Sequence, residues 1–97
     1  MSDLHVVATI CAKPGSESVI RDAFTTLVTA SREEEGCLAY DLFESAAAPG
    51  TFFMIEAWRS QVDLDAHLQT THIAAALAAS ADHLAGDIAI HPLTRVG

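Results

Sequence analysis

Hydrophobic residues in this 97-residue chain fall into short runs separated by turn-forming residues. Four runs rich in β-branched and aromatic residues predict strands, and they cover residues 4–13, 37–45, 51–60 and 87–96. Pro14 and Gly15 mark a turn after the first strand. Pro92 has no backbone N–H, so the last strand is predicted to lie at a sheet edge.

Apolar residues three and four positions apart predict a helix from Ser16 to the polar run SREEEG at residues 31–36. Gly36 is predicted to close this helix in the left-handed conformation. The three glutamates before Gly36 oppose the helix macrodipole, so their side chains are expected to be solvated.

Two shorter helices are predicted between the third and fourth strands. Ser60 precedes Asp63 by three positions, a pattern typical of a capped helix start. Thr70 or Thr71 caps a second, alanine-rich helix that is predicted to end at Gly86. The resulting order predicts an α+β fold, a single ferredoxin-like split βαβ domain over residues 1–97 with a four-stranded antiparallel sheet and helices on one face.

The third strand predicts a partner subunit, because both of its faces are largely apolar. One face carries Phe52, Met54, Glu56 and Trp58, and the other carries Phe53, Ile55 and Ala57. One layer of helices covers only one face of a sheet, so we expect a second copy of the chain to cover the other face, in a homodimer.

The composition limits the classes of partner. Hydrophobic residues make up 51% of the chain and charged residues 19%, a balance typical of a folded domain. The formal net charge of −8 repels phosphate backbones and anionic lipid surfaces, so we expect neither nucleic acid nor membrane as a partner. No run approaches the roughly 20 apolar residues of a membrane span and no signal-peptide pattern is present, so a cytoplasmic location is expected.

Trp58, His67 and His72 are the first candidates for a functional site. The two histidines are roughly 140° out of alignment on one continuous helix, and no Cys, Asp or Glu stands at a ligand spacing beside them, so no metal site is expected. Each histidine is either a surface residue at a helix end or a base, since imidazole titrates near neutral pH. Trp58 is either a core anchor or a flat binding wall.

Glu56 and Tyr40 are weaker candidates. Glu56 lies on an apolar face, so it must find a hydrogen-bond donor, reach solvent or have a raised pKa, and both a structural and a functional role stay open. Tyr40 is either an ordinary strand aromatic or a pocket hydroxyl. The chain has no glycine-rich phosphate-binding, CxxC or nucleophile-elbow motif, so no cofactor is expected.

The segments EEEGCLAYDLFES and FFMIEAWRSQVDLDAHLQTTH resemble the antibiotic biosynthesis monooxygenase superfamily, and within it the small quinol monooxygenases. The shared pattern falls on Glu35, Gly36, Cys37 and Tyr40, on Glu56, Trp58 and Ser60, and on residues 67–72. The resemblance implies a dimeric α+β barrel with a pocket between sheet and helices in each subunit. It also implies oxidation of a small quinol or phenol by molecular oxygen without metal or flavin.

Members of this superfamily also degrade haem, oxidise polyketide phenols or process a quorum-sensing sugar derivative. Leu77 stands where haem-degrading relatives have a histidine, and Met54 and Leu64 stand where polyketide-oxidising relatives have asparagine and tyrosine. These differences disfavour both activities. The alternatives that stay open are a quorum-signal (autoinducer) isomerase and a non-catalytic dimer that binds a small ligand.

An oxygenase of this kind has to favour deprotonation of its substrate and hold the anion in a dry pocket. We therefore expect a small aromatic or quinol-like substrate and oxygen as partners. His67 and His72 are the candidate catalytic bases, and Trp58, Tyr40 and Glu56 are the candidate substrate-binding residues.

Overall fold

The computed structural model describes residues 3–97 of the chain. Four strands span Leu4–Cys11 (β1), Cys37–Glu44 (β2), Thr51–Trp58 (β3) and Ala89–Leu93 (β4). Three α-helices span Glu17–Ser31 (α1), Gln61–His67 (α2) and Thr71–Ser80 (α3), and a 3-10 turn follows at Ala81–His83. No helix within residues 3–97 combines the length and the apolar character that crossing a membrane requires.

The strands form one antiparallel sheet in the order β2-β3-β1-β4, which confirms the predicted ferredoxin-like fold. Strand β4 lies at the sheet edge, as Pro92 predicted. Gly15 has a φ of 88°, so the turn after β1 uses the backbone region that glycine adopts without strain.

The hydrophobic core lies between one face of the sheet and the helices. Its members include Val6, Ile10, Phe52, Met54, Trp58, Ile20, Phe24 and Leu27 from β1, β3 and α1, and Tyr40 from β2. Nothing in residues 3–97 covers the opposite face of the sheet, and on it Phe43, Ile55 and Leu93 are 54%, 44% and 49% exposed. The apolar second face is thus observed, and the second copy that would cover it stays a prediction.

The predicted helix starts at Ser60 and Thr70 are confirmed. The Ser60 hydroxyl accepts a hydrogen bond from the backbone N–H of Asp63 at 3.3 Å, and the Thr70 hydroxyl accepts one from the N–H of Ile73 at 3.3 Å. The cap at Thr70 starts α3 as a helix separate from α2, which ends at His67. This break places His67 at the end of one helix and the other histidine of the pair at the start of the next.

Helix α1 ends at Ser31, within the predicted polar run, but the predicted role of Gly36 is wrong, because Gly36 does not take the left-handed conformation. Gly36 is needed for a different reason, since a Cβ there would clash with the side chain of Asp63 near the start of α2. The predicted end of the second helix at Gly86 is wrong, because α3 ends at Ser80. The Ser80 hydroxyl donates a hydrogen bond to the carbonyl of Ala76 at 2.7 Å.

Candidate active site

A small pocket lies between the sheet and the helices, with a volume of about 60 Å³. Three polar side chains line it, those of Tyr40, Glu56 and His67. The other lining residues are all apolar: Ala8, Ile10, Phe24, Leu27, Met54, Leu68, Ile73, Leu77, Ile88 and Ile90. An apolar cavity with a few converging polar groups is the usual form of a small-molecule site.

The register of the sheet places Tyr40 and Glu56 side by side. Tyr40 on β2 pairs with Glu56 on β3, so both side chains point toward the helices. The indole N–H of Trp58 donates a hydrogen bond to Oε1 of Glu56 at 2.8 Å. Burial raises the pKa of Glu56 to about 7, although the Trp58 hydrogen bond lowers it in part and the charge of Glu34 adds to the rise.

His67 is the last residue of α2 and is 1% exposed. Its ring packs between two aromatic rings, with centroid distances of 4.5 Å to Trp58 and 5.2 Å to Tyr40. The Nε2 atom of His67 lies 3.2 Å from the Tyr40 hydroxyl. The imidazole is therefore fixed in place at the polar wall of the pocket.

Glu34 approaches the same imidazole from its other side. The Oε2 atom of Glu34 lies 2.6 Å from Nδ1 of His67 and 2.7 Å from Nε2 of His72. The loop after α1 brings Glu34 here because Gly36 packs against α2 and its carbonyl accepts a hydrogen bond from the N–H of Arg59 at 2.9 Å. Both histidines are thus held by one carboxylate oxygen.

The surroundings change the acidity of the groups in this wall. Burial lowers the pKa of His67, against the opposing influence of the Glu34 hydrogen bond and charge. Burial also raises the pKa of Tyr40, and the neighbouring charge of Glu56 adds to this rise. Near neutral pH, His67 is therefore an uncharged imidazole and Tyr40 a protonated hydroxyl that donates hydrogen bonds.

The structure separates the five residues that the sequence singled out. Tyr40, Glu56 and His67 meet at the pocket. Trp58 is fully buried and does not line the pocket. Its ring packs against the His67 ring and its N–H donates to Glu56, so it contacts the pocket residues without forming the predicted flat wall. His72 also lies outside the lining and contacts Glu34 at a partly exposed position.

The sequence prediction for the glutamates of the SREEEG run is wrong for Glu34. Its side chain is only 17% exposed and bridges two helices, whereas that of its neighbour Glu35 is 89% exposed. The one local signal for this role was the unfavourable position of three glutamates after a helix C-terminus. That signal does not say which glutamate turns inward.

The sequence spacing of His67 and His72 predicted that their side chains point apart, and the structure brings them together. Because α2 ends before α3 begins, ligand atoms of Glu34, His67 and His72 lie within 4.8 Å of one another. Two imidazoles and a carboxylate are a donor set that zinc can use. Both rings hydrogen-bond to the shared oxygen of Glu34, and the expected absence of a metal stays a prediction.

Comparisons with known proteins agree with the sequence motifs. The model of the family described as "Antibiotic biosynthesis monooxygenase" matches residues 3–79. The chain is 38% identical over 82 residues to the protein named "Probable quinol monooxygenase YgiN" of Escherichia coli strain K12, covering 74% of this chain and 79% of that protein. It is 35% identical over 71 residues to "Putative monooxygenase Rv0793" of Mycobacterium tuberculosis, covering 73% and 69%.

Solved structures give the same result for the whole fold. The crystal structure of PA3566 from Pseudomonas aeruginosa superposes with a TM-score of 0.91 at 33% identity, covering 100% of this chain and 97% of that chain. The structure of Rv0793 superposes with a TM-score of 0.90 at 30% identity, covering 99% and 97%. Because the family model matches most of the length of this chain, the chain belongs to the antibiotic biosynthesis monooxygenase family.

Proposed function

We propose that this protein is a monooxygenase that oxidises a small quinol or other phenolic substrate with molecular oxygen, without flavin or metal, and that His67 is its base. The observation that carries this proposal is the buried imidazole of His67, which lines a mainly apolar pocket beside Tyr40 and Glu56 and whose pKa is lowered by burial. The relative named as a probable quinol monooxygenase supports the substrate class. The family match supports monooxygenase chemistry.

The proposed reaction begins with transfer of the phenolic proton to His67, directly or through the Tyr40 hydroxyl, which lies 3.2 Å from Nε2. The phenolate is then electron-rich enough to give one electron to oxygen, and the two radicals combine at a ring carbon that carries hydrogen. His67 returns its proton to the peroxide. Loss of water with that carbon's hydrogen leaves a carbonyl, so one oxygen atom enters the product and the other leaves as water.

The lining of the pocket favours a flat, uncharged substrate. Its described lining residues include no Lys or Arg that would bind a phosphate, which disfavours a phosphorylated sugar. The volume of about 60 Å³ is less than the roughly 150 Å³ of a cavity that holds benzene. A substrate ring therefore has to displace the solvent-facing side chains of Leu68, Leu77 and Ile90, which are 38%, 46% and 47% exposed.

The functional unit in this proposal is a homodimer. Phe43, Ile55 and Leu93 lie on the sheet face opposite the helices, where none of the described residues covers them. A contiguous exposed apolar face of this kind is typical of a subunit interface. A second copy would present the same apolar face, and a twofold interface joins the same patch of both subunits.

The experiment that tests this proposal measures oxygen consumption with a reduced naphthoquinol. Protein freed of flavin, haem and metal should consume oxygen faster than the quinol autoxidises. Under ¹⁸O₂, the quinone product should gain one labelled oxygen atom.

Two results would contradict the proposal. Oxygen consumption at the rate of autoxidation, with the quinol still bound, would leave a non-catalytic binding protein. Rapid oxidation that forms hydrogen peroxide and an unlabelled quinone would make the protein an oxidase that inserts no oxygen.

A further inference from the structure

His67 faces different partners at its two ring nitrogens. Nδ1 lies 2.6 Å from Oε2 of Glu34, and Nε2 lies 3.2 Å from the hydroxyl of Tyr40. His67 is 1% exposed, so water does not compete for these positions. The partners alone therefore decide which nitrogen carries the proton.

The charge on Glu34 allows only one neutral tautomer. An ionised carboxylate oxygen accepts hydrogen bonds and donates none. If the proton were on Nε2, the lone pair of Nδ1 would face the lone pairs of Glu34 at 2.6 Å, and the two would repel. With the proton on Nδ1, that nitrogen donates to Glu34, and Nε2 is free to accept from the Tyr40 hydroxyl.

His72 makes a second contact with the same oxygen. Its Nε2 atom lies 2.7 Å from Oε2 of Glu34, and its side chain is 25% exposed. Two donors on one oxygen fix the carboxylate against rotation. Because His72 contacts neither the pocket nor Tyr40 in this geometry, its hydrogen bond acts on Glu34 alone.

We infer that Glu34 is a positioning residue that holds His67 in the Nδ1–H tautomer, so that Nε2, beside the Tyr40 hydroxyl that lines the pocket, keeps its lone pair as the proton acceptor. This inference rests on the proposed function for its kinetic consequence only. The tautomer itself is a property of the protein without substrate. His72 is then an anchor for Glu34 and not a second base.

The inference predicts a specific role for the charge of Glu34. Glu34→Gln keeps the length of the side chain and removes the negative charge, so the Nδ1–H tautomer loses its electrostatic support. Glu34→Asp keeps the charge on a shorter side chain. Glu33→Gln is the matched control, because Glu33 is an exposed neighbour in the same run and loses the same charge.

Nitrogen NMR of the histidine rings at a pH where His67 is neutral tests the inference without any substrate. The His67 signals are assigned by their absence from the His67→Gln variant. In the parent protein and in Glu33→Gln, we expect the proton on Nδ1. In Glu34→Gln, we expect a substantial population of the Nε2–H tautomer, and Glu34→Asp should restore the parent pattern in part.

Kinetics with the naphthoquinol give the second readout. In Glu34→Gln, we expect kcat to fall by about 10- to 100-fold, as when a general base is misoriented, with KM changed by less than about threefold. Glu33→Gln should keep the parent values, and Glu34→Asp should recover part of kcat.

Two results would overturn the inference: an Nε2–H tautomer in the parent protein, or a tautomer that Glu34→Gln does not change. A parent protein that shows the expected tautomers and no turnover would support the role of Glu34 and refute the proposed function instead.

Discussion

Nδ1 of His67 lies 2.6 Å from Oε2 of Glu34, a residue 33 positions earlier in the chain. The same oxygen lies 2.7 Å from Nε2 of His72. The two histidines are therefore equal in their contact with Glu34 and unequal in their contact with the pocket, which only His67 lines. This inequality distinguishes two residues that the sequence left as equivalent candidates for the base.

Replacing the histidines one at a time should give different kinetic losses. His67→Gln removes the acceptor at the pocket wall, so kcat and kcat/KM for naphthoquinol oxidation should both fall on the order of 10²-fold or more. His72→Gln leaves the pocket intact and keeps a donor near Glu34, so its loss should stay below about fivefold. Steady-state oxygen consumption measures both. Equal losses in the two variants would count against His67 as the sole base.

Glu56→Gln should change how the stability of the protein depends on pH. Burial raises the pKa of Glu56 from an ordinary value of 4.5 to about 7 in the folded protein. The unfolded chain therefore ionises first, and the parent protein loses stability as pH rises from 4.5 to 7, by up to roughly 3 kcal/mol. Glutamine still accepts the Trp58 hydrogen bond and does not ionise, so the variant lacks this loss.

Urea unfolding of both proteins at pH 5 and pH 8 checks this expectation. His67 acts in the opposite direction, since its lowered folded pKa makes the protein less stable as pH falls below 6.5. That contribution is common to both proteins and cancels in their difference. Glu33→Gln controls for the loss of a surface charge. A difference in unfolding free energy that is the same at both pH values would show that Glu56 ionises normally.

Light scattering at micromolar concentration should give twice the chain mass, because we expect the exposed apolar outer face of the sheet to pair with its copy. Ile55→Glu places a charge on that face, where the parent side chain is 44% exposed, and should produce monomers. Val62→Glu is the matched control, since Val62 is 75% exposed on α2 and away from the outer face. A parent protein that is monomeric and well folded would remove the basis for the dimer.

Metal removal should leave the protein unchanged. Because hydrogen bonds from His67 and His72 to the shared oxygen of Glu34 hold these three side chains together, we expect the site to need no ion. Treatment with a strong chelator should therefore not shift Tm or the rate of quinol oxidation. Stoichiometric zinc in the purified protein, together with a lower Tm after chelation, would show that the cluster of Glu34, His67 and His72 is a metal site.

The fold was predictable from the sequence because its signals are local. Alternation along β3 placed Glu56 on the face toward the helices, and the cap at Ser60 marked the start of α2. Pocket membership of Tyr40 follows from the same alternation once β2 pairs with β3. The positions of Glu56 and Ser60 depend on residues only a few places away, and that of Tyr40 on the pairing of two strands that follow each other in the sequence.

Glu34 and Trp58 show where such reasoning fails. The direction of Glu34 is set by the packing of Gly36 against Asp63, a contact between segments that lie far apart in the sequence. Alternation along β3 correctly places Trp58 on the face toward the helices. Its burial beneath the His67 ring depends on how α2 packs on the sheet, which alternation does not predict. On one continuous helix, the two histidines would point in different directions. The turn between α2 and α3 instead brings both of them to Glu34.

The most direct test of His67 as the base is the pH dependence of kcat/KM for naphthoquinol oxidation, corrected for autoxidation, in the parent protein and in Glu56→Gln. Only the neutral imidazole accepts a proton, and burial lowers the pKa of His67, so kcat/KM should rise with pH and reach half of its plateau below 6.5. Glu56→Gln should keep this midpoint below 6.5. A midpoint near 7 that disappears in Glu56→Gln would assign the base to Glu56 and contradict the account.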